Sequence, residues 1–355
     1  TCSFSDDSRF VAVKSDLMAV YDLQKFESSG PFYSSNVITM RLSPDGKKLF
    51  YIQDKTYNEA MMWCEYNVLN PQPPTKTPLN FTLKEVRVSD DDVQKVNVAI
   101  SPDLNLIAYL RNDEIGVYDR KNSVNKPFLK GHESYVRQVR WLSNGILVSS
   151  GNDNTIRFWD AVKGAELAKL VLFKNDGWVI VAPDGRYDAS EAAMKKLYYV
   201  QGMTTISLDN LYEKFYTPNL LASLLANDAL PVPDVDINQL AAPPKVKMTF
   251  DVARNLVVGD DVPKLNWKTE TISVKISATS AENPIDEIRL YLNGKLVEDI
   301  NRNLIVTDDK VENSLTKSFT VKLTAGLNNF KAIAFNKQRT ESRPDETDVN
   351  YIPET

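Results

Sequence analysis

The stretch GHESYVRQVRWLSNGILVSSGNDNTIRFWD, residues 131 to 160, decides how this chain is read. It contains the only histidine among 355 residues. Histidine is a common general base, metal ligand and pH switch, so His132 is the first candidate for chemistry. The competing reading is structural. A neutral imidazole offers one donor and one acceptor, and a buried ring needs a partner on both sides. A single His with no second His and no Cys beside it is a poor metal constellation.

Working outward, the turn WLSNG at 141–145 has relatives along the chain: FSDDS at 4–8, LSPDG at 42–46, ISPDL at 100–104 and VAPDG at 181–185. Pro presets φ, Asp bonds the following backbone and Gly tolerates positive φ, which is tight-turn chemistry. Apolar residues alternate on both sides, as in Val96, Val98 and Ile100 before one turn and Leu106 to Tyr109 after it. Each unit therefore reads as a hairpin. A third strand ends in an aromatic–polar pair: AVYD at 19–22, GVYD at 116–119 and RFWD at 157–160, with WCEYN at 63–67 a degenerate form. Turns recur every 38 to 58 residues or so, around the ~40–45 of a four-stranded propeller blade. The Pro-rich insertion PQPPTKTP at 71–78 contributes to the longest interval.

These units resemble the WD-repeat family. The unit at 131–160 carries its motif most fully, with Gly131–His132 followed by Trp159–Asp160. The resemblance implies an internal hydrogen-bonded network of His132, Ser149, Asp153 and Trp159. Side-chain chemistry agrees: a carboxylate takes one imidazole N–H, a hydroxyl answers the other nitrogen, and the indole N–H donates to the hydroxyl. The other units lack the His, so the network is expected in one blade. Five units are recognisable where such propellers usually close with about seven blades. The chain opens on TCSFSDDSRF without Met and reads as a fragment entered in mid-repeat.

The last unit departs from the pattern. In order it carries Trp178, Pro183–Gly185, Tyr187–Ser190 and Phe215–Leu221. That order is similar to the closing segment of bacterial proteins pairing WD repeats with a caspase-like peptidase. Thr217 is expected as an N-cap and Pro218 as the first residue of a helix with Leu220, Leu221, Leu224 and Leu225 on one face. A short helix is expected at about 209–216.

Residues 229–244 read as a Pro-rich linker without regular structure. Beyond them, alternating segments at 246–250, 271–280, 287–299, 317–324 and 328–336 indicate a second all-β domain. Asn293–Gly294 between LYL and KLV signals a type I′ hairpin. Short alternating strands over about 95 residues point to an immunoglobulin-like sandwich, and LTAGLNNFKAIAFN resembles the closing strands of bacterial modules of that type. The expected fold is all-β: a WD-type β-propeller at 1–206, a helical extension at 207–228, the linker, an immunoglobulin-like β-sandwich at 245–340 and a loose tail at 341–355.

A formal charge of −5 with scattered Lys and Arg disfavours a nucleic-acid partner. No apolar run of about 18 residues spans a membrane. Two cysteines, Cys2 and Cys64, give no disulfide framework; both are expected inside strands, with Cys2 facing inward. The chain reads as cytoplasmic. The runs Ser89–Asp90–Asp91–Asp92 and Asp308–Asp309 lack calcium-loop spacing and read as solvated turns. There is no phosphate-binding Gly motif. The family resemblance implies a Cys–His peptidase domain outside this chain. No catalytic, metal or cofactor residue is therefore assigned. Trp178, Tyr198, Tyr199, Tyr212 and Tyr216 form a candidate interaction or docking surface, since aromatics are enriched in binding hot spots. The leading reading is a non-enzymatic scaffold or sensor for protein partners. A propeller hydrolase or glycan-active protein, and a surface adhesion module, remain the alternatives.

Overall fold

The computed structural model describes residues 2–15, 17–32, 36–54, 60–82, 97–174, 177–201, 204–250, 265–297 and 313–353. The chain is all-β and of WD type in its first part. It divides into two compact units, the first formed largely by residues up to 174, the second by 184–220 and the residues from 230 on.

The first unit is built from antiparallel sheets, taken in chain order. Sheet one holds β1 (Cys2–Phe4), β2 (Phe10–Lys14), β3 (Met18–Asp22) and β4 (Glu27–Phe32). Sheet two holds β5 (Val37–Leu42), β6 (Lys48–Gln53), β7 (Ala60–Asn67) and β8 (Thr75–Thr82). Sheet three holds β9 (Val98–Ile100), β10 (Leu106–Arg111), β11 (Glu114–Asp119) and β12 (Val124–Asn125). Sheet four begins with β13 (Val136–Trp141), β14 (Leu147–Gly151), β15 (Thr155–Asp160) and β16 (Ala165–Phe173). The fifth turn follows β17 (Gly177–Val181) and leads to β18 (Tyr187–Ala189); no separate four-stranded sheet follows it among the described residues.

The recurring turn is held by a device that the Pro-Asp-Gly pattern only partly shows. Its Ser hydroxyl donates to the Asp two residues on and accepts the backbone N–H five residues on. Ser5, Ser43 and Ser101 do this to Asp7 and Phe10, Asp45 and Lys48, and Asp103 and Leu106. The polar residue of the aromatic–polar pair closes the next turn. Asp22, Asn67, Asp119 and Asp160 each accept backbone N–H groups two or three residues ahead.

Successive sheets stack through apolar faces. Phe10, Ala12, Met18 and Val20 of sheet one pack with Met40, Leu42, Leu49, Tyr51 and Tyr66 of sheet two. Phe50, Ile52 and Trp63 then pack with Val98, Ile100, Ile107, Tyr109 and Tyr118. Ala108, Leu110 and Val117 pack in turn with Val139, Leu147 and Trp159. Cys64 is fully buried in this core, whereas Cys2 is exposed, against the expectation of an inward residue. The reason is register: Cys2 opposes Val13 on the face of sheet one that no described sheet covers.

The second unit contains a short helix α1 (Glu191–Met194), a hairpin of β19 (Tyr198–Gln201) and β20 (Thr204–Ser207), a 3₁₀ turn at Leu208–Leu211 and α2 (Tyr212–Phe215). The next helix is α3 (Leu220–Ala226). It starts later than the capping pattern predicts. Asn219 takes φ 59° and its N–H goes to Asp188, 2.8 Å away. Thr217 Oγ1 turns back to the Phe215 carbonyl, so neither Thr217 nor Pro218 opens the helix.

Segment 229–244 is more ordered than a free linker. A 3₁₀ turn at Ile237–Gln239 is capped by Asp236, and Ile237, Leu240 and Ala241 are buried. Gly185 lies so close to Ile237 that a Cβ there would come within 2.8 Å of it.

Two sheets then pack face to face. One is β21 (Lys245–Phe250), β23 (Thr271–Thr279) and β26 (Ser314–Lys322); the other is β22 (Leu265–Trp267), β28 (Asp345–Tyr351), β27 (Gly326–Asn336), β24 (Ile285–Leu292) and β25 (Lys295–Leu296). Ile272, Val274, Ile276 and Ala278 alternate inward against Ile288, Leu290, Phe330, Ala332 and Ala334. Asn293 and Gly294 take φ 50° and 78°, the positive pair a type I′ turn requires. The segment expected as a loose tail supplies β28, which pairs with β27 and, in parallel, with β22. Val349 anchors it in the core, and a polar neighbour bonds across to β27, where Asn329 donates to Asp348. The acidic runs at 89–92 and 308–309, and Val96, lie outside the described residues.

Candidate functional site

Sheet four brings His132, Ser149, Asp153 and Trp159 together. Ser149 and Trp159 sit on neighbouring strands, two residues off register, because Leu147 pairs with Trp159 and Ser149 with Arg157. Trp159 Nε1 donates to Ser149 Oγ at 2.8 Å, and Ser149 Oγ lies 2.8 Å from His132 Nε2. His132 Nδ1 lies 2.9 Å from Asp153 Oδ2. A carboxylate only accepts, so Nδ1 carries the proton, Nε2 accepts from the hydroxyl, and the four side chains form one directed chain. Burial pushes the His132 pKa below its ordinary value, against the upward pull of Asp153. Burial alone would raise Asp153, but hydrogen bonds from His132, Thr155 and the Glu133 N–H outweigh it and hold the carboxyl low. The imidazole is neutral with both nitrogens engaged, and no lone pair is left for a proton or a metal.

The sequence reading missed the outer half of this cluster. Arg157 is 5% exposed, donates to Glu166 at 2.6 Å and lies 3.7 Å from Asp153. Thr155 donates to Asp153 at 2.9 Å. A Cβ on Gly151 would come 2.7 Å from His132 Nδ1 and 2.9 Å from Asp153 Oδ1, so only glycine lets the ring approach its carboxylate. The alternation Thr155, Arg157, Trp159 on β15 was the available signal, since those side chains share one face.

The five aromatics of the candidate surface do not form one patch. Tyr198 is half exposed on β19, while the Tyr199 hydroxyl donates to Asn238 at 3.0 Å. Trp178 on β17 accepts the Ser190 N–H at its carbonyl and donates its own N–H to Ser190 Oγ. Only Tyr212 and Tyr216 meet, stacked with ring centroids 4.6 Å apart and planes 14° off parallel. Tyr216 also leans on the buried Tyr187, whose hydroxyl donates to the Leu208 carbonyl at 2.6 Å.

Tyr212 and Tyr216 line a groove of ≈ 700 Å³ in the second unit, with Arg289, Tyr291, Lys331 and Phe335 rising from the outer face of β24 and β27. Its lining residues Glu213 and Arg289 belong to an ion-pair lattice. Arg339 reaches Glu213 at 2.7 Å, Glu287 at 2.8 Å and Asp286 at 2.9 Å, and Arg289 donates to Glu287 at 2.9 Å. Both guanidiniums lie against the Phe335 ring, 4.5 and 4.4 Å from its centroid. Arg289 and Arg339 together hold Glu287 down at about 2. Glu341 lines the same groove, its pKa raised by burial. The pattern Glu287, Arg289, Tyr291 is readable in EIRLY as one strand face, but Glu213 and Arg339 are 126 positions apart and no local pattern joins them.

Among the described residues no group of three or more His, Cys, Asp or Glu is arranged to hold a metal ion, and no helix is long and apolar enough to cross a membrane.

This geometry is matched by known sequences. Residues 123–160 match the WD40 family, described as WD domain, G-beta repeat. The chain is 34% identical over 120 residues to the transcription factor unc-37 of Caenorhabditis elegans, covering 31% of this chain and 20% of that protein. It is 38% identical over 72 residues to the F-box/WD repeat-containing protein 7 of Drosophila melanogaster, covering 20% of this chain and 5% of that one. The chain thus spans a fifth or less of the length of these curated relatives. Residues 123–160, which hold the His132, Ser149, Asp153 and Trp159 network, are thus the part of the first unit that the WD-repeat comparison covers.

Proposed function

We propose that this chain is a non-enzymatic scaffold that captures a protein partner, with His132 an internal strut of one blade. In the finer reading its β-sandwich is immunoglobulin-like and the whole serves as the regulatory part of a larger bacterial protein carrying a caspase-like peptidase domain. The ordered series Trp178, Pro183–Gly185, Tyr187–Ser190 and Phe215–Leu221 supports that association. The observation that carries the scaffold reading is the groove of Tyr212 and Tyr216. Tyr212 is 50% exposed on a stacked pair whose surroundings are fixed by ion pairs. A rigid, half-exposed aromatic beside prepaired charges is a binding anchor rather than a reaction centre.

The test is affinity capture from an extract of the source cells, comparing the wild-type chain with Tyr212→Ala and quantifying each recovered protein by mass spectrometry. A partner retained at least about tenfold better by the wild type, the ratio expected for a hot-spot aromatic, supports the reading. If that partner carries a caspase-like domain, the finer reading gains as well. Equal recovery by both proteins, or no partner above background, overturns the groove as the capture site.

A further inference from the structure

The groove on the second unit contains one acid that the surrounding lattice does not use. Glu213, Asp286 and Glu287 are all taken up by Arg289 and Arg339. Glu341 lines the same groove and makes no ion pair among the described residues. Its main chain is pinned to the 3₁₀ turn at Leu208–Leu211. The Glu341 N–H donates to the Asn210 carbonyl at 2.9 Å, and the Glu341 carbonyl accepts from Asn210 Nδ2 at 2.6 Å. The residue is therefore fixed in the groove wall.

Charge around this acid is negative on balance. Three carboxylates of the lattice share two guanidiniums. Asp209 and Glu213 add to the burial that raises the Glu341 pKa, and the opposing pull of Lys331 and Arg289 does not outweigh it. The aromatic faces are unequally spent. Both guanidiniums already lie against Phe335, while Tyr212 and Tyr216 stack on each other. Among the described residues no cation lies over Tyr212, Tyr216 or Tyr291.

We propose that the groove receives a basic side chain, a Lys or Arg of the partner protein, with its charged head at Glu341 and its stem against Tyr212, Tyr216 and Tyr291; this rests on the groove being the capture site. A partly buried carboxylate without a counter-ion is costly, and a cation relieves that cost. Tyrosine faces attract the same cation. Lys and Arg lay their methylene stems along apolar surface while the head stays free to reach an acid. The groove is open at Gly294, where a Cβ would meet nothing within 4 Å, which leaves room for the main chain that carries the side chain. An acidic partner would instead meet Glu341 and the lattice's excess negative charge.

Selection of a displayed library of random peptides on the whole chain tests the proposal, with Tyr212→Ala, Glu341→Gln and Lys331→Met run in parallel. The wild type should enrich peptides that share one basic position, and Tyr212→Ala should lose them. Titrated as single synthetic peptides, they should bind Glu341→Gln about tenfold more weakly, the size of one hydrogen bond to a charged group. Replacing the basic residue by norleucine should weaken binding to the same extent, and the two losses should not add, because both delete one contact. Lys331→Met should tighten binding, since it removes the cation that competes for Glu341. An unchanged thermal melt of each variant separates a lost contact from a lost fold. Peptides that depend on Tyr212 yet share no basic residue, or are indifferent to Glu341→Gln, would overturn the proposal and leave the capture site standing. Peptides indifferent to Tyr212→Ala, or no enrichment at all, would overturn the capture site and this proposal with it.

Discussion

Sheets one and four are built on the same repeat, yet they spend their shared face differently. In sheet four that face carries Ser149, Arg157 and Trp159, linked to His132 and Asp153 and roofed by sheet three. In sheet one the same register holds Val13, Ala19 and Tyr21, with neither polar network nor covering sheet among the described residues. A face that is always covered can hold directed hydrogen bonds, because burial strengthens them and makes their loss costly.

The sharpest test of the difference is truncation of the shared aromatic. Trp159→Ala removes a ring that is 1% exposed and strips Ser149 of its indole donor, so it should cost about 3–5 kcal/mol. Tyr21→Ala, at the equivalent position, should fall within about 0.5 kcal/mol, as exposed substitutions do. Urea unfolding of both variants at low concentration reads the contrast directly. Equal losses would mean that sheet one is covered after all.

His132→Ala comes next. It leaves the Asp153 carboxylate and the Ser149 hydroxyl without their central partner and should cost about 1–3 kcal/mol. Partner capture by the folded mutant should be unchanged. Full stability together with lost capture would reverse the roles assigned to the histidine and the groove.

Acid should then separate the sheets. The fold keeps His132 neutral by burial, below its ordinary value of 6.5. Below pH 6.5 the unfolded chain takes up a proton that the fold resists, so stability falls with pH, by at most about 1.4 kcal/mol per pH unit for one group. Asp153 is also held below its ordinary 3.8, and its contribution is lost as pH falls through that value. The front face of sheet one carries no acid or imidazole. Denaturant midpoints measured from pH 7 down to 5 should decline in the wild type and flatten in His132→Ala. A flat wild-type profile would mean that the ring titrates as it does in the unfolded chain.

The same contrast explains what was legible in the sequence. Turns were readable because Pro, Asp and Gly act on backbone a few residues away, and the four-residue network was readable through the resemblance of residues 131–160 to a WD repeat. Exposure of sheet one was not, since Val13 and Tyr21 look as apolar as Tyr51 and Tyr66 and only the stacking order tells them apart. Strand β28 escaped because DETDVNY offers one core residue, Val349, among polar neighbours. The groove escaped because Glu213 and Arg339 meet only after the sandwich has formed.

The smallest effect concerns the turn that opens sheet one. Ser8 holds φ 57° where the equivalent residue of sheet two is Gly46 at φ 68°. Their N–H groups make the same bond, Ser8 to the Ser5 carbonyl at 3.0 Å and Gly46 to the Ser43 carbonyl at 2.9 Å. The left-handed backbone costs a side-chain-bearing residue about 1–2 kcal/mol, while glycine adds ~0.5–1 kcal/mol of unfolded-state entropy. Ser8→Gly should therefore stabilise sheet one by about 0.5 kcal/mol. Gly46→Ser should be far worse than the reverse of that gain, because a Cβ there would stand 2.1 Å from the Phe10 ring, which packs between sheets one and two. Thermal melts of the two variants measure the asymmetry: equal and opposite shifts would mean that backbone conformation alone governs both turns, and the contact between the sheets does not.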